Sequence, residues 1–227
     1  MRAAMVAAIV LSVPAMSARA QEVAYAATLT ELDSTTQAAV GREIARARER
    51  GLPVDPLVAK VREGRLKRAS AARIRAAVER LSERLAAARD ALGPASTAEE
   101  VTAGADAIAA GAQSSSLRAV RAATTQSVTA GVGALAQLLA SGVAEAKAVD
   151  MVIGLLRRNA SPTVLVALGN QVEADVATGL SPTASAAFRL RAIEDGLRGG
   201  VATDAVTAPL SSGNLSHGTA GPPQRKP

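Results

Sequence analysis

Between Ser70 and Gly93 the apolar residues Ile74, Val78, Leu81, Leu85, Ala88 and Leu92 recur at spacings of 4, 3, 4, 3 and 4. That rhythm is one face of an α-helix, on which positions three and four apart lie side by side. Ser70 offers a capping oxygen ahead of the run, and Gly93-Pro94 stops it. The same grammar governs the rest of the chain. Ser34 to Arg50 puts Val40, Ile44 and Ala47 on one face, and Gly51 follows as a left-handed stop. Asp55-Pro56 reads as a cap and a first helical residue, with Leu57, Val58 and Val61 inward until Gly64. Thr97 and Glu100 form a capping box before Val101, Ala105 and Ile108, and that helix stops near Gly111.

Ser116 is then expected to cap a short helix carrying Leu117 and Val120. Val128, Val132, Leu135 and Leu139 make the next stripe, ended by Gly142, and Val149, Val152, Ile153 and Leu156 the one after. Ser161-Pro162 restarts the chain with Leu165, Leu168, Val172 and Val176, ended by Gly179. Ser181-Pro182 restarts it once more with Ala184, Phe188, Leu190 and Ile193 inward. No run alternates with the period of two that a half-buried strand requires. The fold class is therefore all-α: an irregular helical bundle, or a short helical-hairpin solenoid, of about seven or eight helices.

Two segments raise the solenoid option. Residues 51–81 and 142–172 both run glycine, apolar residue, short helix, a Leu-(Lys/Arg)-Arg turn, a serine cap and a second helix, and a third start follows at Gly179. They read as degenerate hairpin units. Convergent use of Gly stops and Ser caps explains them equally well, and the spacing fits no repeat of fixed period.

Composition adds where the chain works. Arg2, an apolar run to Met16 and the small-x-small site Ala18-Arg19-Ala20 have the three-part form of a secretory signal peptide, cleaved before Gln21. The run is too short to span a bilayer comfortably, which takes about 20 residues. An exported product, periplasmic or secreted, is expected, and the Ala/Arg-rich composition suits a GC-rich bacterium. After residues 1–20 come a loosely ordered lead-in at 21–33, a basic helical half at 34–94, a neutral helical half at 95–198, and a Gly/Ser/Pro-rich tail at 199–227 expected to be disordered. One Tyr, one Phe and no Trp or Cys leave a core of Ala, Val and Leu, with no disulfide to brace it.

Charge singles out one segment. Residues 41–90 hold 14 Lys/Arg against 7 Asp/Glu, whereas residues 91–227 balance. Arg73, Arg80 and Arg84 form a stripe beside the apolar seam, and Arg65, Lys67 and Arg68 cluster in the turn before it. Together these six are the candidate patch for an anionic partner: lipid headgroups, envelope polysaccharide or an acidic protein face. The competing reading is a solvated face, since Arg/Glu alternation keeps an Ala-rich helix soluble, and Arg75 with Glu79 fits it. Nucleic acid is the weaker partner, because no aromatic side chains are at hand for base stacking.

Catalytic material is thin. The one histidine, His217, lies in the tail, and no cysteine exists for a zinc site or a thiol nucleophile. No cofactor or metal is expected. Of the carboxylate pairs Glu99-Glu100, Glu173/Asp175 and Glu194-Asp195, the adjacent ones diverge on a helix, and all read as solvated faces or partners of helix dipoles. Gly131 and Gly133 lack the phosphate-loop pattern and read as close-packing positions. The expectation is a non-catalytic binding or scaffolding protein of the bacterial envelope, with a protein partner or its own copies. The alternative is a peripheral binder of anionic lipid or polysaccharide through residues 60–84.

Overall fold

The computed structural model of the chain describes Tyr25 and residues 27–199. The expected signal peptide and the body of the expected tail lie outside the described residues. Those described are helical throughout, without a strand, and each apolar run named above forms its own helix. In chain order these are α1 (Ser34–Glu49), α2 (Asp55–Leu66), α3 (Ala71–Leu92), α4 (Ala98–Ala109), α5 (Ser114–Ala122), α6 (Thr129–Ala140), α7 (Glu145–Arg157), α8 (Pro162–Ala177) and α9 (Pro182–Gly199). Residues 27–30 add a short helical turn before them. The expected count of seven or eight is too low, because every Gly stop and every cap breaks the chain.

The ends of the helices share one device. Gly51, Arg68, Gly111, Gly142, Asn159 and Gly179 all have positive φ. The residue after each, from Leu52 to Leu180, sends its N–H back to a carbonyl five positions earlier, at 2.8–3.1 Å. This is the Schellman closure, which satisfies carbonyls a helix end leaves orphaned. Each of those following residues is apolar, and Leu52, Ala112, Val143 and Ala160 are buried by it. The starts are capped by side-chain oxygens of Asp33, Ser70, Thr97, Ser161 and Ser181. Two expected caps differ. The α2 cap is Val54, so Asp55 and Pro56 already lie in the first turn, and α5 is capped by Gln113 without a side-chain bond.

All six seam residues of α3 are buried, as are Leu117, Val120, Val132, Leu165, Leu168 and Val172. On α6 and α7 the expected Val128, Val132, Leu135, Val152 and Leu156 are buried, but Leu138 and Leu155 complete the inner faces while Leu139, Val149 and Ile153 are only partly buried. α9 departs most. Its inward face is Ser185, Ala186, Arg189 and Ile193, and Phe188 is 53 % exposed. A buried ion pair decides this register: Arg189 donates from Nε and Nη2 to Asp175 on α8, at 2.8 and 2.7 Å. Turning Phe188 inward would carry the guanidinium away from its carboxylate.

Substantial packing joins helices one or two apart in chain order. α1, α3, α5 and α7 lie against one another in sequence as one row, and α4, α6 and α8 as a second. Contacts of α2 with α3, α3 with α4, α5 with α6, α6 with α7, and α8 with α9 tie the layers together. Small residues set the spacing. A methyl at Gly104 would stand 2.8 Å from the Ala88 Cβ, and one at Gly131 would stand 3.2 Å from Leu156. Gly133 does not share that role: nothing lies within 4 Å of where its Cβ would be. The two similar segments match locally, with Gly51/Gly142, Arg68/Asn159 and Ser70/Ser161 in equivalent conformations. Their packing differs, since α2 lies along α3 whereas α7 makes its main contacts with α5 and α6. Shared capping grammar accounts for that likeness.

Candidate binding clefts

Three clefts follow one another through shared lining residues. The first, about 560 Å³, has Ala69, Ala72, Ala76 and Ala77 in its wall, with Lys60, Arg73 and Arg80 at its edge. The second, about 460 Å³, shares Lys60, Glu63, Ala77 and Arg80 with it and reaches α4 through Arg84, Thr102, Asp106 and Ala109. The third, about 740 Å³, shares Asp106 and crosses α4, α6 and α8 over Ala103, Ala130, Gly133, Ala136 and Val166. Alanines and glycines reach the surface here because the helical period that buries Val and Leu turns the intervening small residues outward.

The six candidate cations do not all line one cleft. Arg73 and Arg80 meet at the first cleft, and Arg80 and Arg84 at the second. Arg65 and Arg68 face another cleft, of about 820 Å³, beside residues 27–33; it adjoins the first through Ala69 and Ile74 and also holds Arg62, Glu31 and Asp33. There Arg65 is ion-paired with Glu31, and Arg62 donates to Thr28. Lys67 reaches back to Glu63 at 2.6 Å, and Lys60 meets the same carboxylate at 2.5 Å. Bonds from both lysines hold the Glu63 carboxyl down to about 2. Among the described residues Arg73, Arg80 and Arg84 make no direct ion pair. Sequence spacing identified the α3 stripe; Lys60, at the start of the expected 60–84 segment but not among the six named cations, joins it through the packing of α2 on α3.

Asp106 stands where the second and third clefts meet. Desolvation in the wall raises its pKa, against the opposing pull of Lys60 and Arg84. It is the one acid in the described chain that shares a cleft with the α3 arginines and another with the alanine-lined floor.

The paired carboxylates are not all solvated, which corrects the sequence reading. Glu100 is buried at the start of α4 and accepts from the N–H of Thr97 and Val128 and from Arg121, at 3.0, 2.8 and 3.2 Å. Burial raises its pKa, but these bonds outweigh that and leave it below the usual carboxylate range. Asp175 is lowered by Arg189, against its burial, with help from a Ser185 hydroxyl at 2.6 Å. Glu145 accepts from Gln113 N–H and from Ser116, both at 2.7 Å, and these bonds lower it. These acids bridge α4 to the α5–α6 connection, α8 to α9 and α7 to α5. Their partners lie 21, 14 and 32 residues away in the chain, beyond the reach of local pattern.

No family model matches the chain, and no curated protein or solved structure is significantly similar to it. Function therefore has to be read from the molecule's own surfaces. No group of three or more His, Cys, Asp or Glu among the described residues is placed to hold a metal ion. No described helix is long and apolar enough to cross a membrane.

Proposed function

We propose that this is an exported, non-catalytic binding protein of the bacterial envelope, an all-α protein with two rows of helices that engages a protein partner along the continuous clefts of α2, α3, α4, α6 and α8. The observation that carries the reading is the sharing of wall residues: Lys60 and Arg80 belong to two adjoining clefts and Asp106 to the next pair. Helices stacked in rows present extended faces of this kind, long enough for a partner segment to lie along. Tying Glu100, Glu145 and Asp175 into structural bonds supports a scaffold role, since these acids are already committed. Export rests on the form of residues 1–20.

The test uses two glycines. Gly133 lines the third cleft, Gly154 lies on α7, and neither has anything within 4 Å of its Cβ position. Gly133→Leu should fill the cleft and Gly154→Leu should not, with both variants folded by circular dichroism. A partner cross-linked in intact cells should be lost only with Gly133→Leu. Equal retention by both variants would remove the clefts from the reading.

A second reading, a peripheral binder of anionic lipid or polysaccharide, draws on the uncommitted Arg73, Arg80 and Arg84. It requires salt-sensitive binding to anionic vesicles or polysaccharide. Sedimentation with phosphatidylglycerol vesicles at low salt, without effect of Arg80→Glu, would dismiss the lipid form.

A further inference from the structure

The three clefts differ in charge along their length, and that gradient specifies an occupant. At the α2–α3 end Lys60, Arg73, Arg80 and Arg84 share the walls with alanines and with one carboxylate, Glu63, which Lys60 and Lys67 already neutralise, so the arginines set the sign there. At the α6–α8 end the walls are Ala130, Gly133, Ala136, Ala140 and Val166, with no basic residue among those lining them. Asp106, shared by the second and third clefts, is the one acid in the wall of the α6–α8 cleft, where no lining cation balances it, so a ligand's acidic groups are favoured beside the arginines and not there. Resting on the binding reading above, we propose that the clefts bind an amphipathic helix of a partner protein, with acidic residues at one end against Arg80 and Arg84 and an apolar face over α6 and α8.

The physical argument has three parts. Guanidinium groups hold carboxylates through paired hydrogen bonds, more specifically than a lysine does. Exposed alanine and glycine let a helix approach closely, as longer side chains would not. Neighbouring helices lie about 8–10 Å apart, so the run of clefts is about 25–30 Å long, which is the length of about 18 residues of helix. A bilayer fits less well, because the alanine-lined part is a cleft rather than a protruding apolar face.

The probe is a fluorescent synthetic helix of about 18 residues, with glutamates in one terminal pair of turns and a Leu/Ala face elsewhere. Its control carries lysine for each glutamate. Fluorescence anisotropy on the full chain should show saturable binding of the glutamate peptide and none of the lysine peptide. Arg80→Glu/Arg84→Glu should weaken binding at least about tenfold. Gly133→Leu should do the same, and Gly154→Leu should leave binding unchanged. Phosphatidylglycerol vesicles should not compete.

Equal binding of both peptides, loss with Gly154→Leu, competition by vesicles, or no saturable binding at low salt would each overturn the proposal. Formation of a dimer that hides Gly133 would overturn it too, by making a second copy the occupant. A peptide that fails to bind while Gly133→Leu still loses the cellular partner would leave the general binding reading standing and this one refuted.

Discussion

Arg189 is 2 % exposed and spends its charge on Asp175, which is nearly as deeply buried. Removing one member of such a pair strands the other without solvent, at a cost of about 3–5 kcal/mol. Arg189→Met and Asp175→Asn should therefore each destabilise strongly in denaturant titrations. The double variant Asp175→Leu/Arg189→Met should lose less than either alone, because neither member of the pair is left without the other. The pair also fixes a pH dependence. The folded Asp175 carboxyl is lowered, so its contribution is complete above the unfolded value of about 3.9. It drains away as pH falls through the folded value, and Arg189→Met should flatten that acid limb in unfolding midpoints measured from pH 6 downward. Residue pattern alone could not foresee this: an arginine on an inward face looks like an error until its partner, fourteen positions earlier, is brought alongside. Phe188, the more apolar neighbour, was the natural choice and is the wrong one.

Element boundaries were far more legible, because they are written in local chemistry. A positive φ, an apolar residue after it and a Ser, Thr or Asp ahead of the next helix involve no distant partner. The seam of α3 was legible for the same reason, being a single unbroken period. What local chemistry hides is rotation of a helix rich in apolar residues, where several faces qualify; hence Leu138 and Leu155 displace Leu139 and Ile153. The closures themselves make a paired prediction. Gly51 has φ of +66° with open space around its Cβ position, so Gly51→Ala isolates backbone strain. It should cost about 1–2 kcal/mol. Arg68, with φ of 51°, already bears that strain, and Arg68→Gly should raise the thermal midpoint. A drop instead would mean that the Arg68 side chain holds more than its conformation costs.

At the scale of the molecule, packing between near neighbours makes stability graded along the chain. α3 is enclosed by α1, α2, α4 and α5, and α6 by α4, α5, α7 and α8, whereas α9 rests chiefly on α8. Hydrogen exchange followed by mass spectrometry should find the slowest amides in α3 and α6 and the fastest in α9. A uniform rate across all helices would show a single cooperative unit. The row arrangement was not legible in the sequence. The likeness of 51–81 to 142–172 suggested repeated hairpins, yet equal turns led to unequal neighbours, since neighbours are set by which faces meet. The candidate site was half legible: the α3 stripe lies in one helix, but Lys60, Asp106 and the alanine floor join it only once several helices are assembled.

The open glycines carry one more consequence. The chain has no cysteine and no tryptophan, so it is silent to thiol reagents and nearly dark in fluorescence. Gly41 on α1 and Gly154 on α7 sit at the two ends of one row, each with vacant space where a side chain would begin. A cysteine at each would accept a donor and an acceptor dye without a competing site. The pair would serve as a ruler along that row, reading in a single molecule whether filling the clefts bends or straightens it.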